Sequence, residues 1–474
     1  MVRRIGRILL SLAALAMVGF VVLVLIGFWS RYEQNTEVIV SRGNPEARTR
    51  LETGRSEQAQ FLYQVPKLVG AEAVGNANQG LSVAVSADGH TVIVGGPGAN
   101  NADRDRSPLV GPVGAAWVFT RKGSSWIQQG NKLVGTTSGY GGGLWSQGAS
   151  VALSADGKTA IVGGPSDDKT TGAAWVFTLG SEGWAQQGKK LVGSASYKAG
   201  EPPMSVGQGL SVALSADGNT AIIGGWRSEG AWVFTRNGDV WTQQGNKLVG
   251  SGAVGIARQG MAVALSADGN TAIVGGATDN SNTGAAWVFT RSGSVWAQQG
   301  KKLVGSGAAG KALQGTSVAL SADGTTAILG APNDNSNDKS RPFGLGPAGA
   351  TWVFTRGGGV WMQQGDKLVS SGIAGSARQG TSVALSADGN IAVVGGIADD
   401  GSFGAVSVFM RTAHQWMQDK ELTGIGAVVK SASSLALSAD GTLVAIGSPN
   451  DNGGIGAAWL FTRKGTGLVS HADR

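Results

Sequence analysis

Short apolar runs separated by glycine-containing turns fill the chain from residue 61 to residue 463. Residues 259–305 show one full period, QGMAVALSADGNTAIVGGATDNSNTGAAWVFTRSGSVWAQQGKKLVG. Four runs in this stretch have strand character. Residues 261–266 and 271–274 are short and apolar, 284–290 is richest in aromatic residues, and 296–304 alternates before ending in Lys-Leu-Val. Between the first two, Asp268-Gly269 predicts a tight hairpin, because glycine accepts positive φ without a Cβ clash and aspartate can bond its own backbone. Arg-Ser-Gly-Ser plays the same part between the third and fourth runs. Small residues on the first runs suit a crowded centre, and Trp and Phe on the outer pair fill a widening gap between neighbouring units.

Such a unit cannot bury its own apolar faces, so copies must stack. The SADG turn recurs at Asp88, Asp156, Asp217, Asp268, Asp323, Asp388 and Asp440, at intervals of 68, 61, 51, 55, 65 and 52 residues. Seven copies of four strands predict an all-β, seven-bladed β-propeller, with the length beyond a usual blade of roughly 40–50 residues placed in loops. The two chain ends support a closed ring. Residues 61–70, FLYQVPKLVG, align with 296–305, WAQQGKKLVG, and form a fourth strand with no first three before it. The last copy carries three strands (434–437, 443–446, 456–462) and stops without a fourth. The N-terminal strand therefore completes the C-terminal blade and leaves no exposed seam. An open solenoid would instead carry distinct polar caps.

In an up-down blade, the second-to-third loops and the blade-to-blade connections share one rim, and the SADG and third-to-fourth turns share the other. The second rim is uniform, with Arg121, Arg236, Arg291, Arg356, Arg411 and Arg463 ending the third strand and Leu179 breaking the series. These arginines read as solvated hairpin ends in preference to an anion-binding ring, although a link to acidic surface polymer would use the same residues. Length varies only on the first rim, where residues 97–113 and 332–348 form loops of 17 residues and residues 194–207 form a long crossover.

Ahead of the repeats, residues 8–29 carry no charge and follow Arg3, Arg4 and Arg7. A helix of that length rises about 33 Å and crosses a bilayer core. It is long for a signal h-region and lacks a small-x-small cleavage site. Residues 1–31 thus read as a single-pass signal-anchor with the remainder outside the cytoplasm, periplasmic or extracellular. Residues 32–60 read as a polar linker, 61–464 as the propeller and 465–474 as a tail. The net charge of +7 includes four arginines at or before residue 31, so the rest of the chain is near balance and shows no nucleic-acid footprint. Cysteine is absent, which removes disulfides and thiol chemistry. Glycine, 79 of 474 residues, falls at repeated turn positions without a Gly-X-Y period.

The unit Gln-Gly-x-Ser-Val-Ala-Leu-Ser-x-Asp-Gly-x-Thr-Ala-Ile-Val-Gly-Gly/Ala-Pro, followed by Gly-Ala-x-x-Val-Phe, resembles the FG-GAP repeat, a family that includes the N-terminal propeller of integrin α chains and many bacterial surface or exported proteins. Gln79, Gln147, Gln208, Gln259, Gln314 and Gln379 stand where that family has Phe, and Gly330-Ala331-Pro332 is the clearest "GAP". The resemblance implies a surface-exposed propeller. The family's calcium hairpin, Asp-x-Asx-x-Asp-Gly, is reduced here to Ser-Ala-Asp-Gly, which leaves one carboxylate per copy.

Candidate chemistry is sparse. Asp334, Ser336 and Asp338 have the 1, 3, 5 spacing of an oxygen-ligand loop, although Lys339 stands where such a loop needs glycine. No cofactor is called for, calcium at this loop being the one exception the spacing leaves open. His90, His414 and His471 form no pair with metal-ligand spacing, and there is no G-x-S-x-G elbow or phosphate loop. Twelve of the 15 tryptophans occupy two repeated blade positions and belong to the core. Of the others, Trp145 and Trp226, with Tyr140 and Tyr197, fall on first-rim loops of neighbouring blades and are the candidate recognition patch. These observations predict a membrane-anchored interaction or scaffold module for protein or glycan. The rival classes are a hydrolase or lyase on surface polymer, with carboxylates gathered at the central mouth, and a purely structural repeat protein.

Overall fold

The computed structural model describes residues 60–99, 113–136, 146–194, 206–225, 227–335, 348–371, 377–397, 405–423 and 432–464. Residues 60–464 form one compact unit. They build seven four-stranded antiparallel sheets. Six sheets take four consecutive strands; the seventh takes Ser434–Leu437, Leu443–Ser448 and Ala457–Lys464 and is completed by Gln60–Leu68 from the other end of the chain. The first strands of neighbouring blades lie against one another all the way round, and those of blades one and seven meet in the same way. The seven-bladed propeller is therefore closed.

Closure follows the register expected from the sequence. In the fourth blade Arg291 pairs with Trp296. At the seam Arg463 pairs with Phe61, the equivalent position. Four further links repeat there what the other blades do. Gln79 forms a parallel bridge to Gly456. The Ser434 hydroxyl donates to the Gly80 carbonyl at 3.0 Å. Lys67 pairs with Asp451 at 2.7 Å. The backbone N–H of Ala439 donates to the Ala87 carbonyl at 3.0 Å. This last bond is one of seven. The alanine of every SADG turn donates to its counterpart in the next blade, through Ala87, Ala155, Ala216, Ala267, Ala322, Ala387 and Ala439 and back to Ala87, at 2.8–3.0 Å.

One strand expectation needs correction. The sequence pattern places the fourth strand over 296–304, but in blade four it pairs only over Val295–Gln298. The Gln298 amide donates to the Gly300 carbonyl at 2.9 Å, Gly300 takes φ 72°, and the chain swings out. It returns for a single bridge between Leu303 and Ala286. The Lys-Leu-Val segment is thus freed to carry the lysine inward.

The core lies between blades. Second strands such as Thr271–Gly276 are buried throughout. Trp117, Trp175, Trp232, Trp287 and Trp352 on third strands are fully buried. Each donates its indole N–H to the preceding connection, as Trp287 does to the Ser251 carbonyl at 2.8 Å. Trp287 also packs flat on Gly250, where an added Cβ would sit 2.1 Å from the indole. Gly250 is held there by the Gln259 side chain, which accepts from its N–H at 2.6 Å and donates to its carbonyl at 2.9 Å. The same two-point amide clamp recurs at Gln79, Gln147, Gln208 and Gln314 and accounts for the glutamine: a buried glutamine must have both ends satisfied, and the Gly backbone satisfies both. The junction of blades five and six departs at both partners together. Ser407 stands in the tryptophan position and Ser370 in the glycine position, and both are buried.

Candidate functional site

The second-to-third loops and the blade-to-blade connections share a face, as the strand order requires. Val254 of a connection donates its N–H to the Asp279 carboxylate at 2.7 Å, and Asn280 N–H donates back to the Val254 carbonyl at 2.9 Å. In the next blade Ala309 N–H donates to Asp334 at 2.8 Å. Tyr140, Trp145, Tyr197, Trp226, Ser336 and Asp338 lie outside the described residues.

Asp334 lies within them and is fully buried. One of its oxygens takes the Ala309 N–H and the other takes the Lys367 ammonium at 2.6 Å. A calcium ion on that loop would have to compete with Lys367 for the carboxylate. Asp279 pairs with Lys302 in the same way at 2.5 Å, and Asp167 pairs with Lys190. The loop aspartates therefore anchor each loop to the lysine of its own blade's Lys-Leu-Val segment. Where blade one has Ala99 in the aspartate position, Lys132 turns to the Glu72 carbonyl. Where blade three has Ser228, Lys247 donates to the Ser228 carbonyl at 2.6 Å. Sequence reasoning saw these aspartates and missed the lysines, although the Lys-Leu-Val segment recurs in six blades. Partners about 23 residues apart become neighbours only through the outward swing at Gly300 and its equivalents. Among the described residues no three His, Asp or Glu side chains gather as a metal cage would require.

The opposite rim is more ordered than solvated hairpin ends would be. Arg236, Arg291, Arg356 and Arg411 each stack on the cross-strand tryptophan of their blade, 5.4–5.8 Å from the ring centre. Each also reaches the preceding blade: Arg291 donates to the Gln244 side chain at 3.1 Å, and Trp296 donates to the same oxygen at 2.9 Å. The arginines are thus inter-blade struts. Half-burial and cross-blade bonding were not visible in a pattern that places them at strand ends.

Beside them stand the SADG aspartates. Burial pulls the Asp268 carboxyl upward, but the Ser266 hydroxyl, the Asn270 backbone and side chain, and the nearby Arg291 charge outweigh it and hold the group below the usual carboxylate range. Asp217, Asp323 and Asp388 are lowered by the same kinds of partner, each with its own arginine. Asp88 and Asp440 are lowered as well, against burial, by their serines and turn N–H groups. A carboxyl depressed in the folded state stabilises the fold above its unfolded value and loses that contribution as pH falls through the folded value. The propeller is therefore expected to weaken progressively as pH drops below about 4. Asp268→Asn together with Asp323→Asn should flatten that acid limb, measured as urea midpoints at pH 7, 4 and 3. An acid limb unchanged by the double substitution would disprove the linkage.

Two grooves on the outer wall repeat with the blades. One of about 710 Å³ between blades three and four is lined by Val249, Phe289, Val295 and Trp296. Its equivalent between blades two and three, of about 360 Å³, is lined by Val192, Phe234, Val240 and Trp241. Both follow from the short fourth strand and its outward swing.

No family model matches the chain, and no curated protein matches it in sequence. Solved structures resemble it in backbone. A protein provisionally assigned as a 6-phosphogluconolactonase from Bacteroides fragilis NCTC 9343 is 14% identical, with a TM-score of 0.48 over 74% of this chain and 85% of that one. A protein with the same provisional assignment from Bacteroides uniformis ATCC 8492 is 13% identical, with a TM-score of 0.49 over 78% and 94%. Kuenenia stuttgartiensis hydrazine synthase is 13% identical, with a TM-score of 0.49 over 85% and 100%. Likeness at this level carries nothing about activity; the fold itself rests on the seven closed sheets.

Proposed function

We propose that this chain is a membrane-anchored, extracytoplasmic propeller of the FG-GAP type that serves as an interaction scaffold for protein or glycan. One observation carries the reading: the blades are locked to one another by repeated bonds, while length variation is confined to the loops of one rim. Binding surfaces commonly sit on variable loops held by a rigid frame. The uncharged residues 8–29 supply the anchor and put that frame outside the membrane.

The test replaces residues 97–113 and 332–348 with the short loop of blade four, residues 277–283, in a soluble chain beginning at residue 56. The native and loop-exchanged proteins are compared for binding to arrayed glycans and to purified envelope proteins. Retained folding with lost binding is expected. A native protein that binds nothing, or binding unaffected by the exchange, would sink the proposal.

A further inference from the structure

Four blades take positive φ in the third-to-fourth turn on glycine, at Gly123, Gly238, Gly293 and Gly358-Gly359, and blade two turns through Ser181-Glu182 without it. Blade six instead has Ala413 at φ 49° and His414 at φ 86°, two side-chain-bearing residues in the left-handed region. Glycine at either position would relieve strain that an L-residue must bear there. Backbone strain of this kind concentrates where a side chain is needed.

His414 borders a cavity of about 420 Å³ between blades five and six on the SADG rim, lined also by Arg356, Arg411, Thr326, Asn390 and Gln364. The two guanidiniums are only partly engaged. Arg411 uses Nε on Asn390 at 2.9 Å and Nη1 on Gln364 and Thr326. Arg356 uses Nη1 on Gln299 at 3.1 Å. The Nη2 group of each makes no hydrogen bond among the described residues. The two nearest acids do not fill the role: Asp388 is bonded to Ser386 and Asn390, and Asp323 to Ser321 and Thr325. Neither acid forms an ion pair with Arg356 or Arg411; both act on Arg411 only at longer range. A pocket lined by two guanidinium forks, an imidazole and a threonine hydroxyl is a donor-rich site for oxygen anions.

We propose that this pocket binds an oxyanion, a phosphoryl or carboxylate group, either free or carried by an acidic polymer. It lies on the rim opposite the variable loops, so it does not depend on what those loops bind. His414 is the specificity element: it places an imidazole where the glycine-turn blades have Ser124, Asp239, Ser294 or Gly359.

The protein has three histidines, so ring resonances can be followed individually by NMR. The chain from residue 56 is titrated at constant ionic strength with inorganic phosphate and, separately, with an oligogalacturonate. Saturable shifts at His414, with His90 and His471 unmoved, are expected for at least one probe, and which probe saturates identifies the anion. His414→Gly should weaken that binding about tenfold, the scale of one lost charge-assisted hydrogen bond, while leaving thermal stability equal or raised. Arg411→Lys, which keeps the charge and loses the fork, should weaken it as well. Equal shifts at all three histidines, no saturation with either probe, or wild-type affinity in His414→Gly would overturn the assignment.

Discussion

A chain that begins at residue 71, and so lacks the closing strand, should lose more than about 5 kcal/mol of stability. Two terms set that scale: truncating a buried leucine such as Leu68 costs about 2–5 kcal/mol, and leaving a buried acid unpaired costs about 3–5 kcal/mol. Leu68 is 3% exposed, and the Asp451 side chain is 0% exposed with Lys67 as its ion-pair partner. Gly70 would also leave the Gln79 amide with neither of its partners. Domains of ordinary stability hold about 5–15 kcal/mol in all, so the truncated protein should melt far below the full propeller and expose Ala457–Lys464 as a raw edge. Thermal melts and limited proteolysis read both effects. A peptide of residues 60–71 added in trans should restore part of the lost stability by refilling the edge. If the truncated chain melts where the intact one does, the ring does not depend on its seam.

Trp287→Ser should cost about 3–5 kcal/mol, the usual penalty for removing a large buried aromatic. Gly250→Ser should cost about 3 kcal/mol, because its Cβ would press into the indole and overpacking in a fixed backbone is poorly absorbed. The two together should cost less than their sum by about 1–3 kcal/mol, since each removes the other's conflict. The junction of blades five and six already carries this pair as Ser370 and Ser407, which is why the coupling is expected to be favourable. Urea unfolding of the two single variants and the double variant completes the cycle. Strict additivity would show that the paired departure at that junction has another cause.

Much of this architecture was legible before any coordinate. The Asp-Gly turns, the apolar runs and the orphan strand at residue 61 are local signals, and local signals survive in a linear reading because hairpins form between neighbours in sequence. The register Phe61 to Arg463 is the clearest case. Lys-Leu-Val has strand character in the sequence, and only the swing at Gly300 shows that the fourth strand of blade four is interrupted before it. The aromatic patch on the variable rim was legible as a candidate in composition alone, and its geometry lies outside the described residues.

By itself, then, the sequence determined the number of blades, the order of strands and the completion of the last blade by the first strand, because each of these is written in repeat spacing and turn chemistry. Only the tertiary structure decided which side chains meet. The Gln–Gly clamps, the part-buried Lys–Asp pairs, the arginine struts and the ring of seven alanine bonds join groups that lie from 9 to 384 residues apart. Their pairing depends on how neighbouring sheets are turned against each other around the ring. That angle is a property of the packed circle, and no single repeat encodes it.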